Sequence, residues 1–351
     1  MPAITPRAAE VEAFILQHVL EHPRDIARVT AEHFGISRQA TNKHLKRLLD
    51  EGKLVASGAT RNRTYAPAIL AHEGFELKVS PKLEEDRVWS EQVAPLLRGT
   101  PENVESICFY GFTEMLNNVI DHSESSTAEV MVTRSLSDVT ILIQDHGAGI
   151  FAKIARDLHL DDERHAVLEL AKGKLTTDPK RHSGEGIFFT SRMCDQFNIV
   201  SGVLVLICVN GESWILDKRE FPAQGKSEKV DGTFVRMQIS AFSSRTVPGV
   251  FERYSVKDDD FGFTRTRVPV ALARYGDENL ISRSQAKRLL ARFERFKEVM
   301  LDFTGVEMIG QAFADEIFRV FQRAHPEVHL EWINATADVE KMIRRARSVK
   351  E

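Results

Sequence analysis

Glu114 and Asn118 stand four residues apart in the run Phe112-Thr113-Glu114-Met115-Leu116-Asn117-Asn118-Val119-Ile120-Asp121-His122. On a helix that spacing puts both side chains on one face. Met115, Leu116, Val119 and Ile120 cover the other side. An amide oxygen is a hard, neutral ligand suited to Mg²⁺, which points to Asn118. A carboxylate can take a proton from an attacking nucleophile, which points to Glu114. Solvated helix faces often carry the same pair, so the chemistry needs further parts.

Three more segments supply candidates. Val139-Thr140-Ile141-Leu142-Ile143-Gln144-Asp145-His146-Gly147-Ala148-Gly149-Ile150 reads as a strand that ends on Asp145 and turns through two glycines. Asp145 can accept a hydrogen bond from an exocyclic amine. That favours adenine over guanine, which offers a carbonyl at the equivalent position. Gly147 and Gly149 let main chain approach a ligand with no Cβ in the way. Further on, Arg181-His182-Ser183-Gly184-Glu185-Gly186-Ile187 places Gly184 and Gly186 before a helix, where free N–H groups and the helix dipole suit phosphate oxygens. Lys180, Arg181 and His182 add positive charge. Finally, Asp231-Gly232-Thr233 places a threonine at the start of a strand. His122 and His146 flank these motifs and read as catalytic or as packing residues.

In this order and spacing the four segments resemble the GHKL ATPase superfamily, which includes gyrase, mismatch-repair ATPases, histidine kinases and anti-sigma-factor kinases. The match covers residues 85–242 and implies a Bergerat-type α/β sandwich that binds ATP with Mg²⁺. The resemblance implies Glu114 as general base, Asn118 as metal ligand, and Asp145 with Thr233 at the adenine. Gly147, Gly149, Gly184 and Gly186 would shape the pocket, and the segment from Phe151 to Ser183 would be a mobile lid. Two departures matter. Histidine kinases carry a phosphoacceptor histidine just before this domain, and no histidine occurs in Val88–Leu97. The second glycine box reads Gly-Glu-Gly-Ile where kinases usually have Gly-Leu-Gly-Leu, which keeps hydrolysis without phosphotransfer open.

The elements around this region fall into two further stretches. Val11, Phe14, Ile15 and Val19 recur at helical spacing, and a second short helix ends at Phe34-Gly35. Ser37 sits where an N-cap belongs. On the helix that follows, Ala40, Leu45 and Leu48 face inward with Thr41 half-buried, and Arg38, Gln39, Asn42, Lys43 and Lys46 face outward. Those residue types contact base edges and phosphates. Two short strands flank the turn Gly58–Arg63. Gly35-Ile36-Ser37-Arg38-Gln39-Ala40-Thr41-Asn42-Lys43-His44-Leu45-Lys46-Arg47-Leu48 resembles the recognition region of bacterial winged helix-turn-helix regulators. The resemblance implies a helix in the major groove and backbone contacts from Arg61 and Arg63. A small protein-docking module with a solvated basic face is the other reading of residues 1–67.

Residues 68–84 have few periodic apolar positions and read as a linker, and Phe242 to Gly249 as a second joining segment. The last stretch, 250–351, alternates strand and helix: Val268–Ala273, Val299–Phe303 and Val328–Ile333 as strands, a capping box at Ser282-Arg283-Ser284-Gln285, and a helix from Gln311 to Ala324. Asp302-Phe303-Thr304-Gly305-Val306 through Ala314 resembles the central loop of STAS domains, the anti-sigma-factor antagonists. In that family the loop carries a phosphorylated serine. The aligned positions here are Gly310, Gln311, Ala312 and Phe313, so the acceptor hydroxyl is absent.

The composition fits a globular chain of several α+β and α/β domains: 351 residues, 42% hydrophobic and 28% charged. A net charge of −4 confines any DNA contact to a local patch such as residues 37–63. Cys108, Cys194 and Cys208 form no CxxC pair, which argues against structural zinc and for a reducing compartment. Neither the first residues nor the apolar run Val200–Val209 reads as a signal peptide or a membrane span. The sequence thus predicts a cytoplasmic, homodimeric regulator with no membrane contact. The nucleotide state of a GHKL domain would be coupled to a DNA-binding winged helix and to a STAS-like domain that can meet a protein partner. An anti-sigma-type Ser/Thr protein kinase and an ATP-hydrolysing effector or timer are the alternatives.

Overall fold

A computed structural model describes residues 6–175, 184–220, 229–255, 263–274 and 278–348. The chain opens with α1 (Pro6–His18), α2 (Ile26–Phe34) and α3 (Arg38–Asp50), followed by the antiparallel pair β1 (Leu54–Ser57) and β2 (Thr64–Pro67). Val11, Ile15, Val19, Ile26, Leu45, Leu48 and Leu54 close a core of their own. Ser37 caps α3 by accepting the Ala40 N–H at 3.2 Å. Thr41, expected half-buried, is fully buried. One charge lies inside this small core: Glu12 accepts from Arg47 and lies 3.3 Å from His44 Nδ1.

The stretch 68–84, expected as a linker, holds a strand. β3 (Ile69–Lys78) begins one residue after β2 and pairs antiparallel with β4 (Thr127–Ser135). Ala68, between them, donates to the Lys53 carbonyl at 3.0 Å. The pattern was silent because β3 is a sheet edge: Ile69, Leu70, Glu73, Glu76 and Lys78 are exposed and only Leu77 is buried. Main-chain pairing forms this strand without the alternation that half-burial writes into a sequence. After it come α4 (Glu85–Val88), a π turn (Trp89–Val93) and a 3-10 turn (Ala94–Leu97), which bury Val88, Trp89, Val93 and Leu97.

The centre of the chain is a seven-stranded sheet in the order β3-β4-β5-β9-β6-β7-β8, with every neighbouring pair antiparallel. The strands are β5 (Asp138–Asp145), β6 (Gln196–Gly202), β7 (Leu204–Val209), β8 (Glu212–Asp217) and β9 (Val230–Ser240). The apolar run Val200–Val209 is mostly the β6–β7 hairpin. Five helices accompany the sheet: α5 (Glu102–His122), α6 (Ile150–Asp157), α7 (Glu163–Lys172), α8 (Gly186–Met193) and α9 (Val247–Arg253). The segment 242–249 is tied down rather than free. Asn103 of α5 donates to the carbonyls of Ser243 and Arg245 at 2.7 and 2.8 Å, and Thr246 caps α9. Phe251 packs on Phe189 with ring centroids 4.1 Å apart, so it belongs to the central unit.

The last unit is a parallel sheet in the order β10 (Arg265–Pro269), β11 (Glu298–Asp302), β12 (His329–Ile333). Its helices are α10 (Arg283–Leu290), α11 (Gln311–Asp315), α12 (Gln322–Ala324) and α13 (Ala337–Ser348), with a π turn (Glu316–Phe321) joining α11 to α12. Ser282 and Gln285 form the expected capping box. β10 starts earlier than expected, and a 3-10 turn (Val270–Ala273) follows it at Pro269, which removes a ladder donor. Central and last units share one continuous core, with Phe263 between Phe188 (4.6 Å) and Phe296 (5.4 Å). α7 lies in that junction with Ala166 to Lys172 all buried, so this part of the expected lid is a packed helix. Residues 176–183 of that lid lie outside the described residues. Among the described residues no helix is long and apolar enough to cross a membrane.

Arg47 and Glu12 give a test of the first unit. Arg47→Ala leaves Glu12 buried with His44 as its remaining neighbour and costs about 3 kcal/mol. Glu12→Gln costs clearly less, because the Arg47 side chain is 35% exposed and can turn to water. Urea unfolding of the full chain, followed by amide exchange in α1 and α3, measures both. Equal losses would show that the pair does not act in this way.

Candidate functional site

The expected residues converge on one cavity of about 250 Å³. α5 supplies Glu114, Asn118 and His122, spaced one turn apart. β5 supplies Asp145, β9 supplies Thr233, and Gly149, Gly184 and Gly186 complete the polar side. Met115, Val119, Ile143, Ile154, Phe188 and Ile199 are among the apolar lining. A cavity in which apolar side chains meet convergent polar groups is a usual form of a small-molecule site. The two residues expected beside these fare differently. Gly147 lies outside the lining and turns the chain: a Cβ there would come within 1.8 Å of the Ser123 carbonyl. Lys180 lies outside the described residues.

The period of β5 explains how a carboxylate reaches this place. Val139, Ile141 and Ile143 are buried at alternate positions, and Asp145 is the next member of that inward row. Only 3% of Asp145 is exposed. Its Oδ1 accepts the Gly147 N–H at 2.9 Å, and its strand partner across the β5–β9 ladder is Thr233. Burial pushes the carboxyl above its usual range, and hydrogen bonds from Gly147 and from the main chain and hydroxyl of Thr233 pull it partly back. The Thr233 hydroxyl in turn accepts the Ile150 N–H at 3.0 Å, which fixes the first turn of α6 beside it. A buried, perturbed carboxyl in a cleft marks a functional-site candidate.

At the other end, α8 starts against α5. A Cβ on Gly186 would sit 1.9 Å from Glu114 Oε2, so glycine there leaves the carboxylate its place. Burial pushes the neighbouring Tyr110 phenol far up, with Glu114 and Glu185 adding to the rise. Two cavity features were missed in the sequence. Lys153 lines the cavity from α6, its Nζ 3.0 Å from Glu124 Oε1. Its signal was spacing, one turn beyond Gly149 on the helix that the glycine turn opens. Leu170 and Leu175 come from α7 and the residues after it, within the segment expected as a lid, and no period singles them out as lining residues. His122 lines the cavity, whereas His146 lies on the surface, 3.4 Å from Glu129.

The remaining expected residues lie elsewhere. Arg38, Gln39, Asn42, Lys43 and Lys46 form an exposed face of α3. Arg63 is exposed over the Tyr65 ring at 5.3 Å, and Arg61 falls in a 3-10 turn (Thr60–Asn62). In the last unit, Asp302 is buried and accepts from Arg267, the Thr304 N–H and Asn334. Gly310, at the position aligned with the acceptor loop, donates to the Leu280 carbonyl at 2.8 Å and precedes α11. Among the described residues, no group of three or more His, Cys, Asp or Glu is placed to hold a metal ion.

Asp145 makes a prediction about the fold as well as the site. Its carboxyl pKa is raised in the folded chain, so the folded state holds the proton more tightly than the unfolded one. Stability from this group is therefore present at low pH and lost as pH rises through the raised value. At neutral pH Asp145→Asn should melt no lower than the natural chain, since the amide oxygen can still accept from Gly147. A Tm drop beyond about 4 °C, roughly 1 kcal/mol or more, would contradict this.

Residues 285–340 match the family model described as a STAS-like domain of unknown function (DUF4325). No curated protein and no solved structure matches the chain. The matched segment begins within α10 and ends within α13, so it holds β11 and β12 and leaves β10 outside. Over these residues the chain carries a STAS-like domain.

Proposed function

We propose that the central cavity binds ATP with Mg²⁺ and that the chain is a DNA-binding regulator whose central unit has the GHKL, Bergerat-type fold. The observation that carries the reading is Asp145: a buried carboxylate held by hydrogen bonds in the lining of a cavity of mixed polar and apolar character, where an adenine amine would be its partner. Thr233 stands beside it on the neighbouring strand. Asn118 would take Mg²⁺, and the metal would arrive with the phosphates, as is usual for Mg²⁺. The metal's chemistry is to neutralise phosphate charge. Glu114, one turn from Asn118, would accept the proton of an attacking nucleophile. Lys153 adds a cation to the same cavity.

In this reading the first unit is a winged helix that places α3 in the major groove. Arg38, Gln39, Asn42, Lys43 and Lys46 would contact DNA, with Arg61 and Arg63 on its backbone. The STAS-like domain would relay nucleotide state and can engage a protein partner, and the chain would work as a homodimer. A protein kinase or a hydrolytic timer built on the same pocket is the second reading. It is favoured by Glu114, which simple binding does not need.

Calorimetry of the full chain with ATP and Mg²⁺ tests the pocket. The natural chain should bind ATP and discriminate against GTP, and Asp145→Asn should weaken ATP at least tenfold. No heat of binding, or equal binding of ATP and GTP, would refute the adenine site. Glu114→Ala should retain ATP and stop phosphate release, and unchanged turnover would remove Glu114 as base. For DNA, Lys43→Ala should weaken binding across all sequences and lower the salt slope by about 1, as expected for one lost phosphate contact. A chain that binds no DNA at low salt would leave the docking-module reading of residues 1–67.

A further inference from the structure

We infer that the STAS-like C-terminal unit sets one wall of the nucleotide cavity through residues 169–175, with Lys172 as the positioning residue. The proposal rests on the nucleotide reading of that cavity. Leu170 and Leu175 line it, and the chain between them is gripped from outside by the last unit. Lys172 is fully buried, and its Nζ donates to the carbonyls of Arg288 and Ala291 at 3.0 Å each. These are carbonyls at the C-terminal end of α10, where a helix leaves acceptors unpaired and favours a cation. The same ammonium donates to Glu169, whose other oxygen lies 2.7 Å from Arg292. Thr266 of β10 donates its hydroxyl to the Lys172 carbonyl at 2.7 Å.

The grip continues past the helix end. The ring of Phe263 packs directly on Gly173. Lys174 donates to the Arg295 carbonyl at 3.0 Å, and Arg295 donates back to the Lys174 carbonyl at 3.2 Å. The Lys174 ammonium also stands 5.0 Å from the Phe296 ring centroid. Next, the Leu175 N–H donates to the Gly184 carbonyl at 3.0 Å, and both residues line the cavity. The C-terminal unit thus holds a strap of main chain whose far end is joined to the glycine segment expected at the phosphates. Burial pushes the Lys172 ammonium down to about 8 against the pull of Glu169, so the joint contains a costly charge that its partners must satisfy.

Occupancy of the cavity and the seating of the STAS-like domain are therefore linked, and each must bias the other equally. The experiment uses the full chain carrying Arg295→Ala, a surface change at a residue outside the cavity lining, beside Lys172→Met. A third variant, Ile343→Val in the core of α13, lowers the stability of the last unit without touching the strap. Two quantities are read: deuterium exchange of the Leu175 amide without ligand, and Mg·ADP affinity by calorimetry. Arg295→Ala should speed Leu175 exchange and weaken Mg·ADP 5- to 20-fold, and Ile343→Val should change neither. Lys172→Met should act in the same direction and more strongly. If it does not fold, Arg295→Ala decides.

Unchanged Leu175 exchange in Arg295→Ala overturns the strap. So does faster exchange with unchanged Mg·ADP affinity, and so does an equal effect from Ile343→Val, which would reduce the joint to ordinary stability. A natural chain that does not bind Mg·ADP overturns the nucleotide reading instead. The exchange comparison then decides the strap by itself.

Discussion

The central cavity depends on the register of β5 against β9. That register makes Asp145 the last residue of an inward row and sets Thr233 across from it. A shift of one residue would turn the carboxylate to the opposite face and bring Gln144 into the slot. The Gly147 turn, the first turn of α6 and the Thr233 hydroxyl all follow from this pairing. A buried carboxylate costs the fold free energy, and its hydrogen bonds offset only part of that cost. An apolar residue at the same place would pack at lower cost to the fold.

The second constraint is the fusion of the units. β2 passes into β3 through Ala68 alone, so the first unit continues directly into the edge of the central sheet. Ser137, on the β4–β5 turn, also donates its hydroxyl to the Leu16 carbonyl of α1 at 2.6 Å. On the other side, Arg267 of β10 bridges Glu212 of β8 and Asp302 of β11, and Phe263 packs among rings of both units. Shared apolar area of this kind resists relative motion far more than a polar interface does. α7 lines the cavity and also contacts β10 of the C-terminal sheet.

Much of the cavity was legible in the sequence, because it is built from local patterns. Glu114 and Asn118 face one way since a helix repeats at about 3.6 residues, and Asp145 points inward since a strand repeats at two. Gly184 and Gly186 announce a turn into a helix wherever they occur. Ser282 and Gln285 write their capping box in four consecutive residues. The edge strand β3 was illegible for the opposite reason: it is exposed on both faces over most of its length, and its main-chain partners leave no mark on its side chains. The STAS-like segment was legible from the Asp302–Ala314 loop, and a family model matches it over residues 285–340.

The sequence by itself determined the helical face of α5, the inward row of β5 and the basic outer face of α3. Each follows from a period or a residue type, which needs no distant partner to be read. Tertiary structure alone decided that Leu170 and Leu175 share the cavity, that Phe251 belongs with Phe189, and that Lys172 is a fully buried ammonium between two units. Lys172 shows why. It falls within the segment expected as a mobile lid, where a lysine is ordinarily solvated. It is buried because the carbonyls of Arg288 and Ala291, more than a hundred residues later, are brought to its Nζ. A sequence records what each residue can bond, and only the fold decides which partner arrives.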